Sequence, residues 1–208
     1  MIGDALRFPR SGDGWLERIV IGGVFVILSF LIVPLILIEG FLYRVLRDVS
    51  QGNESPPAWE DWAELFVDGI KMYVVQIVYL LIPAIVMVLG ITLLGFGLVG
   101  GPEVGILGAL ILFVGLALAL VMAYFIPAGL THLARSGQLG AAFRFRAVAK
   151  TAFNTAYFVP VFLSLLLAIV LGIIGSILLA IVVGVFVLFY AQVAVAFLWA
   201  RGVAASTP

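Results

Sequence analysis

Apolar side chains occur in long runs set between short charged stretches. The first runs from Ile19 to Tyr43, interrupted by Pro34 and Glu39, and the second from about Met72 to Val99, with Pro83 inside it. A turn at Gly100-Gly101-Pro102-Glu103 leads into a third run, Val104 to Leu130, and a last apolar stretch covers Ala156 to Ala200. A spanning helix needs about 20 residues at about 1.5 Å rise each. As one helix the last stretch would be roughly 65 Å long, about twice the hydrocarbon thickness. It is therefore expected to fold back near Gly172-Ile173-Ile174-Gly175-Ser176, giving spans over 157–174 and 178–200. Helices satisfy their backbone polar groups within one segment, as lipid requires. The pattern predicts an all-α, polytopic integral membrane helical bundle. It has four spanning helices, a broken or re-entrant first segment and amphipathic interfacial helices.

Composition narrows the function classes. Of 208 residues, 64% are apolar and 11% charged, against roughly 45–50% and about 25% in soluble domains. Too few charges remain to cover a water-facing surface, so membrane lipids are the expected surroundings. Eleven basic and eleven acidic residues leave no net charge to favour nucleic acid. With no cysteine and one histidine, His132, thiol chemistry, Cys-ligated metal and multi-histidine sites are excluded. No phosphate-binding glycine loop or paired catalytic carboxylates are found either. No cofactor is expected, and an enzyme is the least supported class.

Basic residues set the orientation, since they concentrate on the cytoplasmic side. The turns at 100–103 and 172–176 carry none and are read as external. Loops 44–71 and 131–155 and the C-terminus are then cytoplasmic, in the cell membrane. If the first run crosses once, Arg7, Arg10 and Arg18 lie outside; if it enters and returns, every base lies inside. Twenty-five residues cannot span twice, so the second reading is a shallow re-entrant hairpin, expected to bend near Pro34, where a helical hydrogen bond is lost. It places the N-terminus in the cytoplasm as well. Asp4, Asp13 and Glu17 among the first arginines, with no small-residue cleavage site, do not read as a removable signal.

Within this single membrane domain a weak pattern recurs in units 1–55, 56–138 and 139–208: an amphipathic stretch, an apolar passage out and back, then a basic exit. The second amphipathic stretch is expected to be an interfacial helix with Glu60 and Asp61 in its first turn, where the dipole favours acids. Trp59, Trp62 and Phe66 fall on one face, and Glu60, Glu64 and Asp68 on another. In the third, Phe145, Val148, Ala149 and Ala152 form an apolar stripe flanked by Arg144, Arg146 and Lys150, bases that attract anionic headgroups. Loop 44–71 carries six acids and three bases, and 131–155 carries four bases and no acid. The opposite-signed stretches are expected to dock on each other, Glu64 near Arg146, or to hold a partner or lipid.

Few polar groups lie at span depth. Glu39 is an acid inside an apolar run, either at interface depth near Arg44 or an ion or proton site. Gln76 and Gln192 suit interhelical hydrogen bonds. His132 reads as a surface histidine. Small residues recur at Ala168, Gly172, Ser176, Ala180 and Gly184, and at Gly115, Ala119 and Ala123, a spacing that lets helices approach closely.

The chain is similar to a known family at Asp4-Ala5-Leu6-Arg7-Phe8-Pro9, Gly14-Trp15-Leu16, Leu42-Tyr43-Arg44-Val45-Leu46-Arg47 and the stretch from Pro57 to Gly69. It resembles a family of polytopic membrane proteins of unknown function, common in archaea and found in some bacteria. The resemblance covers essentially the whole chain and implies several membrane helices and no activity. Where that family carries acids near Phe143-Arg144-Phe145-Arg146 this chain is purely basic, so no role for those acids carries over. The preference for arginine over lysine fits a GC-rich genome, such as that of a halophilic archaeon.

Two functions remain. One is a non-enzymatic scaffold or accessory subunit acting through its cytoplasmic interfacial helices, with a protein partner or a second copy of the chain. The other is an oligomeric transporter or channel for a small molecule, ion or lipid, with the broken first segment, Pro83, Pro127 and Pro160 as working parts.

Overall fold

The computed structural model describes residues 1–206. Helices α1 (Ile2–Arg7), α2 (Trp15–Ile27), α3 (Ile32–Ser50), α4 (Trp62–Gly100), α5 (Pro102–Ser136), α6 (Leu139–Ala142), α7 (Phe145–Ala152), α8 (Thr155–Leu178) and α9 (Gly184–Ser206) follow in order. The protein is all-α, and four helical segments are long and apolar enough to cross a membrane: Trp62–Gly100, Pro102–Ser136, Thr155–Ile181 and Gly184–Ser206. The chain gathers into two compact units, Met1–Tyr73 with the chain from Pro127 onward, and Val74–Ile126.

In the first unit α9 is the central element. More than half of its most apolar window is buried (56%), against 22% for the α8 segment. It packs antiparallel to α8 and also against α2 and α3. Glycines set how closely α2 approaches, because the Phe189 and Phe186 rings of α9 occupy the space a Cβ would need at Gly22 and Gly23. Phe41, Tyr157, Phe189 and Leu198 are fully buried there. The start of α4 crosses α3 at still closer range: a Cβ on Gly40 would meet the Leu65 carbonyl oxygen, and one on Gly69 the Ile36 carbonyl oxygen.

The second unit holds the distal parts of α4 and α5, reversed at Gly101 (φ +100°) before Pro102, as the sequence predicts. A seam of close approaches joins them: Gly97 meets Gly105, Gly108 meets Leu93 and Leu94, Gly90 meets Leu112, and Gly115 meets Met87. Glycines seven apart on each helix, 90 and 97, then 108 and 115, keep one face toward the other helix.

Several expectations are corrected. The first apolar run is broken near Pro34, as expected, but at Leu28–Phe30, a 3-10 turn, and extended Leu31, a few residues before the proline itself. Pro34 is the third residue of α3, where a helical N–H has no intrahelical acceptor and its loss costs nothing. The last stretch reverses at Leu179–Val183, not at 172–176, and Val182 takes the left-handed conformation (φ +62°). A turn at Gly172 would leave α8 about 27 Å long, short of the roughly 30 Å core. Gly175 instead lets α8 approach Gly184 and Leu188. The face of α8 turned inward is Tyr157, Pro160, Val161, Ser164, Leu167 and Gly175, so Ser176 and Ala180 are exposed. Helices α4, α5 and α8 continue through Pro83, Pro127 and Pro160.

Candidate functional site

The predicted interfacial helix at 59–66 does not exist as a separate element. Asp61 has a positive φ (+51°) and its carbonyl accepts the first helical bond, from Leu65 N, so α4 begins at Trp62. Glu60 and Trp59 lie in the loop before it. Trp59 is buried (8% exposed). It stacks on Phe41 at 4.4 Å and on Trp62 at 6.0 Å, meets Phe25 edge-on at 5.2 Å, and lies 5.8 Å from Phe189. Its indole Nε1 donates to the Arg18 carbonyl at 3.0 Å. Trp62 is exposed and Phe66 half-buried. The inward face of α4's first turns is Leu65, Asp68, Gly69 and Met72, a helical set at i, i+3, i+4 and i+7. Trp59 therefore anchors the strap 51–61 to the bundle, and it shares no helical face with Trp62 and Phe66.

Charge reinforces that anchor. The Arg18 guanidinium donates to the Ser11 and Asp13 carbonyls at 2.6 and 3.0 Å, and the Ser11 hydroxyl to the Glu54 carbonyl at 2.9 Å. Arg44, 6% exposed, donates to the Glu60 carbonyl at 2.8 Å and to that of Asp61 at 3.4 Å, and pairs with the Glu64 carboxylate at 3.3 Å. One turn on, Asp68 (2% exposed) accepts from Lys71 Nζ at 2.8 Å. Its other oxygen, Oδ2, is buried with no hydrogen-bond donor among the described residues. The Lys71 ammonium sits 5.6 Å from the centre of the Tyr43 ring. Burial, then the nearby Asp68 carboxylate, pushes the Tyr43 hydroxyl above its ordinary pKa, which keeps it neutral.

This geometry sorts the charges by weight. Replacing Arg44 by alanine removes the donors of two loop carbonyls and should cost about 2–3 kcal/mol. Glu64→Gln, at a side chain 61% exposed, should cost under about 1 kcal/mol. Thermal unfolding in one detergent compares them; equal shifts would mean that the ion pair, not the carbonyl contacts, holds the strap.

The acidic stretch is thus engaged within its own neighbourhood, and Glu64 pairs with Arg44, not with Arg146 as one reading expected. Among the described residues, no acid pairs with Arg144, Arg146 or Lys150. Arg146 and Lys150 belong to α7 and Arg144 is its N-cap residue; the buried side of the helix is Val148, Thr151 and Ala152. Phe145, expected in the apolar stripe, is 65% exposed. His132 Nε2 lies 3.0 Å from the Thr151 hydroxyl, and so ties α7 to the end of α5, where a lone histidine is expected at the surface. Asn154 caps α8 through Ala156 N at 2.9 Å and donates to the Ser206 carbonyl at 3.3 Å. Glu39 in α3, Gln76 in α4 and Gln192 in α9 are each half-buried.

Residues 25–200 match a protein family of unknown function, DUF4013. The chain belongs to this family. The match begins beyond Asp4–Pro9 and Gly14–Leu16, two of the stretches that carry the resemblance, but includes the exit at 42–47 and the strap that Trp59 anchors. No curated protein and no solved structure matches the chain. Family membership brings the helical membrane architecture into line with an uncharacterised group and assigns no chemistry to any residue.

Proposed function

We propose that this DUF4013 protein is a non-enzymatic scaffold or accessory subunit of the cell membrane, with both termini and loops 44–71 and 131–155 in the cytoplasm. The support is the use made of its polar side chains. Arg18 and Arg44 tie loops to helices, and Lys71, paired with Asp68 in its own helix, lies over Tyr43 of α3, while the bases at α7 remain displayed. The break at Leu28–Leu31 supports the re-entrant first segment, since α2 has only 13 residues, α3 carries Glu39, Arg44, Arg47 and Asp48 in its 19, and the two pack on each other and on α9.

Single cysteines at Asp13, Glu103 and Gln138, all exposed, test the topology in a chain with no cysteine of its own. With an impermeant maleimide on intact cells, only Glu103→Cys should label. Labelling of Asp13→Cys overturns the re-entrant segment. For the role itself, the tagged protein is taken from its membrane in mild detergent and its companions identified by mass spectrometry. A stoichiometric assembly is expected. A bare homo-oligomer that moves a solute across reconstituted vesicles would replace this reading with transport. One observation favours that second reading, the half-buried Glu39 beyond a helix break, because discontinuous helices build binding sites. Glu39→Gln should then stop the flux.

A further inference from the structure

We propose that α7 is a binding shelf for anionic phospholipid headgroups. The inference rests on the reading above that the basic end of the molecule lies at a membrane surface, and it names what that surface holds.

Connectivity fixes the depth of α7. It is joined to the end of α5 by eight residues and to the start of α8 by two, and both are candidate spans. A segment so short between two spans cannot leave the headgroup layer. Side-chain contacts then fix its rotation. The His132–Thr151 hydrogen bond and the buried Val148 and Ala152 hold one side against the protein. At 3.6 residues per turn, Arg146, Lys150 and Phe153 lie at i, i+4 and i+7 on the opposite side. Arg144, Phe145, Arg146 and Lys150 are all exposed, and Phe153 is 79% exposed.

Charge complementarity selects the occupant. Four bases and no acid lie between residues 131 and 155, and among the described residues no acid pairs with Arg144, Arg146 or Lys150. Alternating bases and exposed phenyl rings fit an interface in which phosphate lies beside acyl chain, with the rings at the boundary. Early in α8, Phe158 and Phe162 are exposed as well and stack on each other. An acidic protein would satisfy the bases but would leave these rings without a reason to be exposed.

The test uses the full chain in mixed micelles with equal phosphatidylcholine and phosphatidylglycerol, and counts the lipid retained after gel filtration by mass spectrometry. Phosphatidylglycerol should be enriched at low ionic strength and released by salt. The enrichment should fall roughly fivefold for each base removed in Arg146→Gln and Lys150→Gln. Phe153→Ser should lower retention of both lipids, and Arg201→Gln, at an exposed base outside α7, should change nothing. These residues are exposed, so the unfolding midpoint should stay at the parent value. An unchanged lipid ratio in the double glutamine variant overturns the proposal, as does an equal loss in Arg201→Gln. Loss of a co-purified protein with the lipid ratio intact overturns it in favour of a protein partner. If lipid is retained but Gln138→Cys labels from outside, the cytoplasmic orientation fails and the lipid shelf stands.

Discussion

A leucine at Gly40 should prevent the chain from reaching its native packing, and one at Gly69 should do the same. At both positions the obstacle is a main-chain carbonyl oxygen, of Leu65 and of Ile36 respectively. A carbonyl inside a helix cannot turn aside as a side chain can, so α3 and α4 would have to separate. Overpacking a core commonly costs about 1–3 kcal/mol and sometimes more; separating two helices along a crossing that also carries Arg44 and Asp68 belongs at or above the upper end. Little folded protein should survive gel filtration in detergent. Gly172→Leu, where nothing lies within 4 Å of the added Cβ, should behave as the parent. A Gly40→Leu protein with the parent's unfolding midpoint would show that the crossing is not as close as described.

The second large effect is expected at Trp59. Truncation to alanine removes a buried indole that meets four aromatic rings and holds the Arg18 carbonyl. Losses of about 3–5 kcal/mol follow such truncations, and here the strap 51–61 would lose its anchor as well. Trp62→Ala, at a residue 46% exposed, should cost less than about 1.5 kcal/mol. Unfolding midpoints and the release of residues 51–61 to protease distinguish the two. Equal, small effects would return Trp59 to the interfacial role that its spacing with Trp62 and Phe66 suggests.

That pair of tryptophans shows why the sequence carried only part of the site. The run Trp59-Glu60-Asp61-Trp62 fits a helical face well, yet Asp61 takes a positive φ and α4 starts one residue later. The spacing then ceases to mean a shared face. Arg44 poses the same problem in another form. Its place after an apolar run reads as a solvated exit base, whereas it is buried and bound to carbonyls 16 and 17 residues away. Partners that distant leave no local trace. The basic helix is legible in the sequence, because four bases without an acid is a property of a short segment. Which of its apolar residues pack on the protein is a separate matter: Val148 and Ala152 are buried and Phe145 is exposed.

That this is a helical protein with four segments able to cross a membrane, reversed at Gly100–Pro102, is legible from the amino-acid sequence alone. This follows from length, hydropathy and local turn chemistry, which act over a few residues. Where the first run breaks, where the last hairpin turns and which faces meet depend instead on how the helices pack together. In a chain this apolar, the residues facing other helices and those facing outward are equally hydrophobic, so periodicity cannot separate them. Shape separates them, through rings seated on Gly22 and Gly23 and backbones in contact at Gly40 and Gly69, and shape is settled only when the helices are together.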